Sequence, residues 1–195
     1  MTAEGLILEG IVTTMDGDGR VNISPMGPRV TPDMRRLTLR PFRTSQTYKN
    51  LKIHGEGVFH VTDDVELLAR SAVGEVEAEL KPAREVRGFV LAGACRAHEF
   101  RVSSLDDTEE RTSIEAEVVH SESLRDYFGL NRAKHAVVEA AILATRTGLL
   151  PMDEIAFEFR RLAIPVQKTG GPDEIAAFAL LARFVNDKAQ SEGRL

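Results

Sequence analysis

Two groups of side chains in this chain have the types and spacing to do chemistry. The first opens with Asn22, Ser24, Pro25, Met26 and Gly27, continues with Arg36 and Arg40, and ends in the run Arg43-Thr44-Ser45-Gln46-Thr47-Tyr48-Lys49-Asn50. A hydroxyl cluster ahead of residues with helical spacing marks a helix start, with Thr44 or Ser45 as the N-cap. The first turn of a helix presents unpaired N–H groups and a partial positive charge. With adjacent hydroxyls and an arginine it makes a site for a phosphate monoester, the kind of group a phosphorylated cofactor carries. The same residues fit a plainer role, in which Ser45 only caps its helix, Thr47 is surface and the arginines are solvated.

The second group lies far along the chain. Arg132, Glu139 and Arg146 recur every seven residues, drifting only about 20° per step on a helix, and His135 falls between the first two. One helical face therefore carries four ionisable residues. It reads either as a solvated face with intrahelical ion pairs or as a stripe facing a cleft and binding an acidic or pterin-like substrate.

Other chemistries lack their residues. His54, His60, His98, His120 and His135 show no metal-ligand spacing, so no metal is expected, and His60 next to Phe59 reads as a core histidine. Cys95, the lone cysteine, sits in a β-like run and reads as a buried thiol without reactive character. There is no Gly-x-Ser-x-Gly elbow, Walker loop or Gly-x-Gly-x-x-Gly fingerprint. The set Asn22, Ser24 and Gly27 also matches the Asn-x-Ser-x-x-Gly pattern of PilZ-type cyclic di-GMP sensors. In those barrels the arginine pair precedes the serine motif, whereas Arg36 and Arg40 follow it here, so the match reads as accidental.

The elements that must position the first group are strands. Residues 6–15 and 20–24 form a hairpin about the turn Asp16-Gly17-Asp18-Gly19, with Pro25 and Pro28 ending the ladder. Arg36 to Phe42 is a third strand, and a short one spans Gly57 to Thr62. Asp63 or Asp64 then caps a helix that stops at Gly74. Residues 88–104 and 111–121 are longer β runs joined by an acidic turn, about six strands in all. Helical periodicity follows over 131–147, 152–163 and 173–188, punctuated by Pro151, Pro165 and Gly170-Gly171-Pro172, with a polar tail from Ala189 expected to fray. The expected fold is mainly β with a helical lobe (α+β): a β-barrel over 1–121, then a three-helix subdomain over 122–195.

Composition bounds the partners. The 195 residues suffice for one domain with an appendage or two small ones, and 25 basic against 30 acidic residues give a net charge of −5. No general attraction to nucleic acid or anionic membranes is expected. No apolar run approaches the roughly 18 to 20 residues needed to cross a bilayer. Glu4 and Glu9 lie where a secretory leader would be basic and then apolar, and one cysteine suits a reducing compartment, so the expected location is cytoplasmic.

Three stretches together resemble a known family. Glu9 to Pro28 (EGIVTTMDGDGRVNISPMGP), Leu39 to Asp64 (LRPFRTSQTYKNLKIHGEGVFHVTDD) and Asn131 to Arg146 (NRAKHAVVEAAILATR) are similar to the domain-of-unknown-function 447 family. Its N-terminal part resembles the FMN-binding split barrels of the flavin reductase-like superfamily. In the related flavin reductases a Lys-Asp-Thr followed by Asn stands at the helix start. The match here is Thr44-Ser45-Gln46-Thr47 followed by Asn50, without the acidic residue. The resemblance implies a homodimeric split barrel with FMN at the interface. The phosphate would lie near Arg40, Ser45, Gln46, Thr47 and Asn50, and the ring against Asn22, Ser24, Pro25, Met26 and Gly27. It further implies a flavin-dependent oxidoreductase that transfers hydride at N5, with NAD(P)H or a pterin-like molecule of methanopterin-linked one-carbon metabolism as partner. The alternative is a non-catalytic flavin-binding or protein-interaction module.

Overall fold

The structure, a computed structural model, describes residues 5–74 and 76–191; Met1 to Glu4, including the Glu4 used in reading the N-terminus, and 192–195 of the polar tail lie outside them. The chain forms two compact units. One joins the residues up to Thr62 with Ala78–Tyr127, the other Asp63–Glu77 with the residues from Phe128 on. A single cut at 121/122 is therefore not how the chain divides: the helix after Asp64 belongs with the C-terminal helices.

The first unit is built on β1 (Leu6–Ile7), β2 (Gly10–Met15), β3 (Val21–Met26), β4 (Arg29–Val30), β5 (Arg36–Leu39), β6 (Glu56–Val61), β9 (Arg96–Asp106) and β10 (Ser113–Ser123). They make one sheet in the order β1-β4-β5-β10-β9-β6-β2-β3, while β7 (Leu80–Pro82) and β8 (Phe89–Leu91) pair separately. Val12, Val30, Leu37, Leu39, Phe59, Phe100, Ile114 and Ala116, from six strands of the large sheet, meet in one buried cluster. Strands as far apart in the order as β2 and β4 share this core because the sheet curls around it.

In the β2/β3 hairpin the Asp16 carboxylate accepts from the N–H groups of Asp18 and Arg20, at 2.9 and 2.8 Å. Pro25 does not end the ladder. It lies within β3, paired with Ile11, and is tolerated because β3 is an edge strand where one side of the backbone needs no partner. The strand expected to run to Phe42 stops at Leu39, since Pro41 lacks an N–H and Phe42 makes only an isolated bridge to Arg111. The run expected over 88–104 is broken at Ala92–Cys95, so Cys95 is buried in a bend and not in a strand. These breaks and the short β1, β4 and β7 give ten strands among the described residues where about six were expected. Between β7 and β8 the buried Glu99 carboxylate on β9 accepts from the N–H groups of Arg84, Glu85 and Val86 at 2.9, 2.6 and 3.0 Å. That holds the loop to the sheet.

The helix α1 (Gln46–His54) has Ser45 as N-cap and ends at Gly55, whose φ of 65° is the left-handed conformation glycine adopts without strain. Its buried residues are Thr47, Tyr48, Asn50 and Leu51. Tyr48 and Leu51 join the buried cluster.

The second unit consists of α2 (Val65–Val73), α3 (Arg132–Ala144), α4 (Met152–Thr169) and α5 (Pro172–Ser191). Asp64 caps α2 and Asn131 caps α3. The buried face of α3 is mostly alanine, at 133, 136, 140, 141 and 144, with Val137, which lets neighbouring helices approach closely. Pro165 does not end α4, which continues to Thr169; the ring costs one backbone bond and the helix resumes. Pro172 opens α5, where its missing N–H is not needed. α5 runs past Ala189, where the polar tail was expected to begin, as far as Ser191.

Candidate functional site

At the start of α1, Ser45 stands in extended conformation and its Oγ accepts from the Tyr48 N–H at 3.2 Å. Its carbonyl accepts from the Lys49 N–H. The N–H groups of Gln46 and Thr47 have no acceptor among the described residues. They are the orphan donors every helix start leaves. Two unspent N–H groups, a half-buried hydroxyl at Ser45 and the dipole of the helix make this end attractive to an anion.

Behind that opening lies a polar network. Asn22 Nδ2 on β3 donates to Thr47 Oγ1 at 3.1 Å, Gln46 Nε2 donates to Asn50 Oδ1 at 2.6 Å, and Asn50 Nδ2 donates to Thr14 Oγ1 at 3.0 Å. Thr47 and Asn50 are 1% and 0% exposed. They are struts that tie α1 to β2 and β3, and the reading of Thr47 as a surface hydroxyl is corrected by its burial. Ser45, Gln46 and Arg40 keep access to solvent. Arg40 and Arg36 are exposed and neither has an ion pair among the described residues. Thr14 was not singled out from the sequence, because a threonine in an alternating strand carries no signal until its partner on α1 is known.

Further along β3, Ser24, Pro25 and Met26 are all half-buried, like Asn22. At about 3.3 Å per residue, the strand carries this line of residues about 13 Å from Asn22 to Met26. At Gly27 a Cβ would stand 2.6 Å from Glu9 Oε1, so a larger residue there would push that carboxylate aside. Glu9 is thus a neighbour of the segment that sequence reasoning did not place there.

A second cluster clamps α1 at its other side. Lys52 Nζ donates to Asp107 Oδ2 at 2.6 Å and to the Tyr48 hydroxyl at 3.0 Å, and that hydroxyl donates to Asp107. The Lys52 ammonium and then the Tyr48 hydroxyl hold the Asp107 carboxyl down to about 2.

His60 is 0% exposed; its Nε2 accepts from the Leu91 N–H at 3.0 Å, so Nδ1 carries the proton it gives to Ile11 O at 3.1 Å. Burial pushes its pKa down to about 4. It is a satisfied core histidine. His98 stacks on Phe59 with centroids 6.3 Å apart and meets Ser121 Oγ through Nδ1 at 2.9 Å. Its buried Nε2 has no partner among the described residues, and burial lowers its pKa.

The ionisable stripe is exposed at every position, Arg132, His135, Glu139 and Arg146, and no ion pair links its members. Arg146 is not on the helix face at all, since α3 ends at Ala144. The polar residue of α3 that has partners is Lys134. Its Nζ donates to Glu174 Oε1 at 2.7 Å and to Asp63 O at 2.8 Å. Among the described residues no helix is long and apolar enough to cross a membrane. Nor does any group of three or more His, Cys, Asp or Glu side chains there fit a metal ion.

Two family models match the chain: the N-terminal domain of a protein of unknown function, DUF447, over residues 8–125, and the DUF447 protein of unknown function over 131–183. No curated protein matches. Among solved structures, an FMN-bound DUF447 protein from Methanosarcina mazei is 25% identical with a TM-score of 0.80, covering 93% of this chain and 96% of that one. The flavin reductase HpaC complexed with NADP+ is 19% identical with a TM-score of 0.54, covering 63% and 81%. The 2-nitrobenzoate 2-nitroreductase NbaA from Pseudomonas fluorescens is 16% identical with a TM-score of 0.52, covering 62% and 66%. The last two show a shared fold alone.

Proposed function

This chain belongs to the DUF447 family, and on that premise we propose that it binds FMN and acts as a flavin-dependent oxidoreductase on a small molecule. The observation that carries the reading is the open anion site at the start of α1, with two N–H groups lacking acceptors and Ser45, Gln46 and Arg40 accessible. The FMN-bound Methanosarcina relative supports it.

In this reading Ser45, Gln46 and Arg40 hold the phosphate by charge-assisted hydrogen bonds, and Thr47, Asn50 and Asn22 keep the helix start in place behind them. The ring lies along Ser24, Pro25 and Met26 towards Gly27, and the length of β3 between Asn22 and Met26 suits a phosphate at one end and a ring at the other. Bound FMN supplies hydride transfer at N5, and the protein supplies orientation and electrostatics. The edge position of β3 leaves one backbone edge of this segment without a strand partner among the described residues, which fits a homodimer with FMN at its interface. NAD(P)H is the proposed donor and a pterin-like molecule the proposed acceptor.

The test is the visible spectrum of the purified protein, followed by FMN titration with the melting temperature recorded. FMN at 100 times its Kd stabilises by about 2.7 kcal/mol. A colourless protein whose melting temperature ignores FMN overturns the reading. Anaerobic bleaching of the flavin by NADH or NADPH supports the oxidoreductase; a protein that binds FMN and is bleached by neither is a flavin-binding module instead.

A further inference from the structure

The hairpin joining β4 to β5 borders an open cleft of about 500 Å³ lined by Thr31, Pro32, Asp33, Arg35 and Arg36. That volume lies within the range of small-molecule sites. The hairpin is a built turn. Thr31 N–H donates to Arg36 O at 3.2 Å, Met34 N–H donates to Thr31 O at 2.9 Å, and Met34 takes a left-handed φ of 57°. A non-glycine residue holds that conformation only when its surroundings impose it, and the Met34 side chain is packed on the buried barrel cluster.

The charges in the turn are sorted. The Asp33 carboxylate is drawn into the hairpin, accepting from Thr31 Oγ1 at 2.6 Å and from the Arg35 N–H at 3.1 Å, with Arg35 Nε 3.8 Å away. Arg36 lies opposite Glu117 in the ladder but pairs with neither it nor any other acidic side chain among the described residues, so its guanidinium is a cation without an ion-pair partner there on the cleft wall. Its planar fork suits a carboxylate or phosphate bound through two oxygens. The position matters as well. Only Pro28 and the two residues of β4 separate Gly27 from Thr31, so the cleft stands next in the chain after the end of the segment assigned to the flavin ring.

We infer that this cleft binds the oxyanion end, phosphate or carboxylate, of the small molecule that exchanges hydride with the flavin, through Arg36 with Arg35 beside it. That the bound molecule is the flavin's partner rests on the FMN reading; the anion site itself does not. The exposed stripe of α3, weighed from the sequence for an acidic substrate, is not needed for this role.

Wild-type protein and Arg36→Ala are titrated calorimetrically with pyrophosphate and with succinate, each with and without saturating FMN. Saturable binding of one of them to wild type, weakened about tenfold or more in Arg36→Ala with FMN affinity unchanged, is the expected result. Which anion binds tells phosphate from carboxylate recognition. Saturable binding of neither, or equal affinity in the variant, overturns the inference. Anion binding that depends on Arg36 in a protein that ignores FMN keeps the cleft and removes the flavin reading.

Discussion

The start of α1 and the outer face of α3 look alike as sequence, each a helix with polar residues at helical spacing, and they end in opposite situations. On α1, Thr47 and Asn50 are buried and bonded to Asn22 and Thr14 on neighbouring strands. On α3, Arg132, His135 and Glu139 are exposed and unlinked. Spacing tells which residues share a face. What the face meets decides whether it binds, braces or is merely solvated.

Lys134 breaks the pattern of α3 from within and gives the largest expected effect. Its partner Glu174 is 8% exposed, and the Lys134 hydrogen bond holds the Glu174 carboxyl below its usual range. Lys134→Met leaves that carboxylate buried without its cation, with an expected loss of about 3 to 5 kcal/mol in urea unfolding. A loss below about 1 kcal/mol would place Lys134 with the solvated residues around it.

His60 carries the same contrast into pH. Its folded pKa of about 4 lies below the ordinary 6.5, so the unfolded chain takes up the proton first as pH falls. Stability is full above pH 6.5 and declines between 6.5 and about 4. The depression corresponds to about 3 kcal/mol. Urea unfolding of wild type against His60→Gln measures it; equal slopes between pH 6.5 and 5 would contradict it.

For the α1 site, Arg40→Ala with Ser45→Ala should weaken FMN at least about tenfold, since each charge-assisted hydrogen bond is worth about 1.5 to 3 kcal/mol. The lost cap itself should cost about 1 kcal/mol of stability. Unchanged FMN affinity would remove both residues from the site. The smallest effect belongs to the α3 face: Arg132→Ala, His135→Ala and Glu139→Ala should each change stability by about 0.5 kcal/mol or less and leave FMN binding intact. A loss of flavin equal to that at Ser45 would erase the distinction between the two regions.

Local signals carried much of the fold. Ser45 and Asp64 cap their helices and Gly74 ends the second, because a cap is a contact within one turn of chain and is written in adjacent residues. Pro25 and Pro165 misled for the opposite reason. Whether a proline ends an element depends on whether its missing N–H is needed, which the edge position of β3 and the continuing α4 settle.

By itself, the sequence determined the mainly β first part, the helices after it, and the set of polar residues around the start of α1. Only the tertiary structure decided which of them are struts and which are open, that Glu9 lies against Gly27, that α2 joins the C-terminal helices, and that Arg36 lines a cleft. Periodicity and capping act over a few residues. Burial, pairing and access depend on residues brought together from distant parts of the chain, such as Asn50 and Thr14, and no local pattern records that meeting.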